Sequence, residues 1–125
     1  LEYASAGHET ALLLSPDGER RALKSTGLIL GIDADAIWES QEYDLAQGER
    51  LLLVTDGVTE THDPNGTLFG RDRLVELLET SPELILNEFI DRIKHALAAF
   101  QQEAVQHDDV TIVLAALDSQ TSSYR

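Results

Sequence analysis

The sequence predicts an α+β fold, and three observations carry the prediction. Extended segments crowd the first part of the chain, two helical segments follow, and one more extended segment closes it, whereas an α/β protein would alternate the two. The run Leu51-Leu52-Leu53-Val54 is apolar without polar alternation, the pattern of a strand buried on both faces. Leu86, Phe89, Ile90, Ile93, Leu97 and Phe100 recur at helical spacing as one apolar stripe, which reads as core. The expected order is about six strands, two helices and a last strand.

Each element has a local reason. Residues from Leu1 to Ser5 alternate apolar and polar, and an extended apolar run resumes from Thr10 to Leu14. Ser15-Pro16-Asp17-Gly18 is a turn, with Pro at its second position and Gly at its fourth, so Arg20 to Lys24 should return as a hairpin. Gly27-Leu28-Ile29-Leu30-Gly31 is an apolar loop, and residues 33–36 fit no clear element. Trp38 to Leu45 reads as a half-exposed strand with Tyr43 and Leu45 on one face. Gln47-Gly48-Glu49 turns into the central strand at Leu51. Asp63-Pro64-Asn65-Gly66 is a further turn, and a short helix is expected over about Arg71 to Glu79. Ser81-Pro82-Glu83 supplies a cap, a first-turn proline and a first-turn acid for the long helix. The final strand is Val110 to Leu117, and the tail from Asp118 is expected to fray.

Composition excludes several functions. The chain has 125 residues, enough for one modest domain. Its net charge of -14 argues against nucleic acid and against an anionic membrane surface. No apolar run reaches the roughly 18 residues of a membrane span, and no signal peptide is visible. With no Cys there is no disulfide framework and no thiolate nucleophile, and a cytoplasmic setting is the default. The chain contains no Met, even at position 1, and opens inside a strand pattern, so a piece of a longer protein is expected.

Two positions stand out chemically. Asp56 follows the central apolar strand directly, where an unpaired carboxylate is costly unless a partner or a cation balances it. Gly57 permits a close backbone approach or a positive φ. Asp108-Asp109 opens the last strand. If the two strands are antiparallel neighbours, both carboxylate groups meet at one rim, where hard divalent cations such as Mg²⁺ or Mn²⁺ find oxygen ligands. Alternatively Asp56 belongs to a simple Asp-Gly turn and Asp108-Asp109 is solvated. His8 follows a strand and could face a site; His62 reads as solvated, His95 as surface and His107 as a connector residue. No phosphate-binding Gly-Lys-Ser/Thr loop, zinc-protease helix, calcium loop or Gly-x-Ser-x-Gly elbow is present.

Ala6-Gly7-His8, Gly27 to Gly31, the stretch from Gly48 through Thr55-Asp56-Gly57-Val58-Thr59-Glu60, Phe69-Gly70 and Asp108-Asp109-Val110-Thr111 come in an order that resembles the PPM-type metal-dependent serine/threonine phosphatases, in particular their bacterial SpoIIE/RsbU-like subgroup. The likeness covers nearly the whole chain. It implies an antiparallel β-sandwich flanked by helices, with two Mn²⁺ or Mg²⁺ ions at one end and only the C-terminal portion of the domain in residues 1–125. Asp56 and Asp108 match metal aspartates. Asp109 matches the neighbouring position, often Asn in other branches, and Thr55, Gly57 and His8 are supporting. The implied chemistry is in-line attack on phosphorus by a water bridging the metals.

The implied substrate is a phosphoserine or phosphothreonine protein, in this subgroup an anti-sigma-factor antagonist. The family's other metal aspartate lies N-terminal to the positions matched here. The chain alone is therefore expected to bind metal poorly, to be inactive, and to expose apolar sheet surface that favours self-association or pairing with the missing half. A degenerate phosphatase domain acting as a protein-interaction module is the alternative function.

Overall fold

A computed structural model of the chain describes residues 1–80 and 85–117. Six strands form, β1 (Glu2–Tyr3), β2 (Ala11–Leu14), β3 (Arg20–Leu23), β4 (Gln41–Glu42), β5 (Arg50–Val54) and β6 (Ile112–Ala116). Three helices, α1 (Asp56–Thr59), α2 (Gly70–Glu79) and α3 (Leu86–Gln101), lie between β5 and β6. The fold is α+β with antiparallel sheets. Among the described residues five strands precede the helices, one fewer than the sequence pattern suggested. The Ser81-Pro82-Glu83 start signal and the tail from Asp118 fall outside the described residues.

The main sheet runs β3-β2-β5-β6. Leu12 pairs with Leu52, and Leu52 with Leu114, so one row crosses the sheet. Period-2 alternation sends Leu12, Leu52 and Val54 to one face. There they form the core with Val58, Phe69, Leu74, Leu78, Phe89, Ile93 and Leu97. α3 contributes Phe89, Ile93 and Leu97 from the stripe read in the sequence, and α2 contributes Leu74 and Leu78. Phe69 meets Phe100 edge-on with ring centroids 5.3 Å apart. The Ile85 N–H donates to the Glu88 carboxylate at 3.3 Å, satisfying one end of α3.

Leu13, Leu51 and Leu53 face the other way. Leu13 is fully buried, and Leu1 and Tyr3 approach part of this face. Leu1 and Tyr3 share a cavity of about 300 Å³ with Leu51 and Leu53. Toward β6 the cover ends, and Val113 is 51% exposed. The loop side chains Leu28, Ile29, Leu30, Ile32 and Ile37 are also exposed. The expected strand from Trp38 to Leu45 shrinks to Gln41–Glu42. The pairing with β1 continues by one residue, since Leu1 and Tyr43 exchange N–H donations to each other's carbonyls at 2.8 Å. Tyr43 also stacks on Tyr3 at 6.0 Å, and Trp38 donates its indole N–H to the Leu28 carbonyl at 2.7 Å.

One charged group is buried within this framework. Glu49, 2% exposed, accepts from Ser15 Oγ at 2.7 Å, Arg21 at 2.6 Å and the Ala46 N–H at 2.9 Å. The Ser15 hydroxyl, with the Ala46 amide and Arg21, holds its carboxyl below the ordinary value against the opposing effect of burial. The network ties the hairpin turn, β3 and the entry to β5 at the end of the sheet remote from Asp56.

Candidate functional site

The rim begins where β5 ends. Val54 pairs with Ile112 in antiparallel register, so the residues after Val54 and those before Ile112 emerge at the same edge. Thr55 locks the two together. Its N–H donates to the Thr111 carbonyl at 3.1 Å, its hydroxyl donates to the Asp109 carbonyl at 2.9 Å, and the same oxygen accepts the Thr111 N–H at 2.9 Å. Asp56 and Asp108-Asp109, far apart in sequence, therefore sit at one rim. Among the described residues the Asp109 carboxylate has no hydrogen-bond partner, and the carboxylates of Asp56 and Asp108 each accept only the N–H of the following residue, at 2.9 and 2.8 Å. Among the described residues no Lys, Arg or His forms an ion pair with any of the three.

Asp56 is not in a simple turn. It starts α1, with Thr55 extended before it and Glu60 closing the turn by donating its N–H to the Asp56 carbonyl at 2.7 Å. The Asp56 carboxylate thus sits in the first turn of a helix. Gly57 is buried in α1, and its φ is not positive. Its requirement is close approach: a Cβ there would lie 2.9 Å from the Asp109 carbonyl carbon and nearer still to its oxygen. Of the two explanations open at the sequence level, the contact with the Asp109 backbone is the operative one.

Two clefts flank the rim. One, of about 350 Å³, gathers Gly7, His8, Glu9 and Thr10 with Thr55 and Asp56. His8 is therefore brought to Asp56, with its Nδ1 2.8 Å from the Glu9 carbonyl. Glu9, which the sequence did not single out, lines the same cleft and pairs with Arg71 at 3.5 Å. The other cleft lies beside Asp108 and holds both His62 and His107. His62, expected to be solvated, is half-buried; its backbone bridges to Leu68, and its ring stacks on His107. His95 is exposed on α3, as expected. No sequence signal could pair His62 with His107, because the contact exists only once α3 returns the chain to α1.

The donor chemistry suits a hard cation: three carboxylates from two strand ends, none neutralised by a neighbouring cation. Among the described residues, however, no group of three or more His, Asp or Glu converges closely enough to hold an ion.

An antiparallel α+β core in this order is the fold of PP2C-type phosphatase domains. The family model described as Stage II sporulation protein E (SpoIIE) matches residues 1–118, and the chain belongs to that family, the SpoIIE/RsbU-like branch of the PPM-type phosphatases. It is 34% identical over 113 residues to the phosphoserine phosphatase RsbU of Bacillus subtilis, covering 90% of this chain and 33% of RsbU. It is 35% identical over 113 residues to Protein IcfG of Synechocystis, covering 90% of this chain and 18% of that protein. The SiaA-PP2C domain of Pseudomonas aeruginosa superposes with a TM-score of 0.82 at 28% identity, over 94% of this chain and 46% of that one. The chain thus spans a third or less of the curated relatives it matches. Among the described residues no helix is long and apolar enough to cross a membrane.

Proposed function

We propose that this chain is the C-terminal part of a metal-dependent protein phosphatase domain that hydrolyses phosphoserine or phosphothreonine. The intended substrate is a phosphorylated anti-sigma-factor antagonist in bacterial signalling. Asp56 and Asp108 are metal ligands, and Asp109 adds a third oxygen donor at the same rim. The observation that carries this reading is the antiparallel Val54–Ile112 register, which brings two separate Asp-containing motifs to one edge without a neutralising cation among the described residues. Family membership and the phosphoserine phosphatase relative support the reaction class.

Bound Mn²⁺ or Mg²⁺ would supply Lewis acidity for activating water and countercharge for the phosphoryl oxygens. The chain's own residues orient that site. Thr55 fixes the Asp109 backbone, Gly57 lets α1 approach it, and His8 and Glu9 face the cleft on the Asp56 side. The remaining metal aspartate comes from residues N-terminal to this chain, so residues 1–125 by themselves are inactive.

The test is p-nitrophenyl phosphate hydrolysis by the full-length protein with Mn²⁺. Asp56→Ala and Asp108→Ala should each bring turnover to background. Unreduced turnover in Asp56→Ala would overturn the ligand assignment. No turnover by the unmodified protein would favour an interaction module instead.

A further inference from the structure

The cleft beside Asp108 has a chemistry of its own. It measures about 410 Å³, within the range of pockets that accept a side chain or small ligand. It shares Gly57 and Asp108 with the rim, so anything bound there lies next to a phosphoryl group held at the rim. Its floor is the His62–His107 pair, with ring centroids 4.7 Å apart and planes 25° from parallel. One wall is the chain reversal after α3, where Gln102 adopts φ 51°, a conformation few non-glycine residues take.

Several donors of the cleft are already engaged. The Thr61 hydroxyl proton is committed to the Gly57 carbonyl at 2.7 Å. The amide nitrogen of Gln101 donates to the Ala104 carbonyl at 2.9 Å, and that of Gln106 to the Asp108 carbonyl at 2.8 Å. Glu60 adds a carboxylate that no Lys or Arg pairs with among the described residues. Aromatic faces beside an unpaired carboxylate suit a planar cation. A guanidinium lies flat against planar rings and forks onto a carboxylate, and it does both better than an ammonium. The chain's net charge of -14 favours such a partner.

We propose that this cleft binds a basic side chain, best an arginine, of the phosphoprotein segment next to the phosphorylated residue. The proposal deepens the phosphatase reading and rests on it. Because an extended chain advances at most about 3.6 Å per residue, the cation should lie one to three positions from the phosphoserine.

The probes are fluorescein-labelled nonapeptides carrying a non-hydrolysable phosphonate analogue of phosphoserine, with one arginine or alanine at each of the three positions on either side. Their Kd values for the full-length protein are read by fluorescence anisotropy with Mn²⁺ present. At one position at least, the arginine peptide should bind ten times or more tighter than its alanine counterpart. Glu60→Gln and His107→Ala should each cut that preference below threefold. Equal Kd values at all six positions, or a preference that survives both substitutions, would overturn the assignment. Turnover of p-nitrophenyl phosphate, measured in parallel, judges the phosphatase reading separately, since the Kd ratio requires no hydrolysis.

Discussion

Replacing Gly57 with alanine sets helix propensity against a backbone collision. Gly57 lies within α1 and has no positive φ, so alanine would suit its conformation. Greater helix propensity and a less flexible unfolded chain favour the substitution by about 1 kcal/mol. Against this, the new methyl would stand 2.9 Å from the Asp109 carbonyl carbon and 3.4 Å from that of Asp108. Both neighbours are backbone and cannot swing aside as a side chain end could. Overpacking of this kind costs about 1–3 kcal/mol, so the net effect is a loss of up to about 2 kcal/mol. Relief requires the 108–109 backbone to move away from Asp56, which spreads the donors apart. Urea denaturation and Mn²⁺ titration calorimetry on the full-length protein read both consequences. Mn²⁺ affinity should fall about tenfold or more, equivalent to at least ~1.4 kcal/mol. A variant stabilised by about 1 kcal/mol with undiminished Mn²⁺ affinity would refute the reasoning, because helix propensity alone would then decide the outcome.

Thr55→Val should remove both hydroxyl hydrogen bonds between β5 and the lead-in to β6, at about 1–3 kcal/mol in urea denaturation, and weaken Mn²⁺ binding without deleting a carboxylate. Glu49→Ala should cost about 2–4 kcal/mol, since it strands Ser15, the Ala46 N–H and Arg21, the last partly solvated and so discounted. Because the folded-state carboxyl of Glu49 is held below its ordinary value, its stabilisation is present above the unfolded value of about 4.3 and is lost as pH falls through the folded one. Melting temperatures of wild type and Glu49→Gln should therefore differ most near neutral pH and converge in acid.

The parts of the fold that were legible in the sequence are those fixed by local pattern. Leu51 to Val54 announced a central strand, although only the Leu52 and Val54 face is buried in the core and Leu51 and Leu53 are half-buried on the other. The 86–100 stripe announced a helix because one face meets the sheet. The turns at Ser15–Gly18 and Asp63–Gly66 close as read, with Gly18 donating to the Ser15 carbonyl at 3.0 Å and Gly66 to that of Asp63 at 2.9 Å. What depended on distant partners was not legible. The Trp38 to Leu45 segment has strand-like residues, but among the described residues it pairs only at Gln41 to Tyr43, with Leu1 to Tyr3. α1 went unseen because Asp-Gly-Val-Thr is too short and too poor in helix formers to signal a helix. Glu49 looked like a turn residue because its partners Ser15 and Arg21 come from another hairpin.

The candidate site divides the same way. Asp56 and Asp108-Asp109 were identifiable by position at strand ends, and the antiparallel pairing that brings them together was the condition stated for their meeting. The linking role of Thr55 and the stacking of His62 on His107 required the third dimension. Of the apolar sheet surface expected to be uncovered, Val113 is exposed; the exposed Leu28, Ile29, Leu30 and Ile32 belong to a loop.

The proposed metal site requires the carboxylates of Asp56 and Asp108 to hold a divalent cation jointly at the β5–β6 rim. Mn²⁺ binding to the full-length protein, measured by titration calorimetry for wild type, Asp56→Asn and Asp108→Asn, tests it most directly. Each substitution keeps the side chain's shape and removes its charge. Both should weaken Mn²⁺ binding by about tenfold or more, at least ~1.4 kcal/mol each. Wild-type affinity in both variants would contradict it.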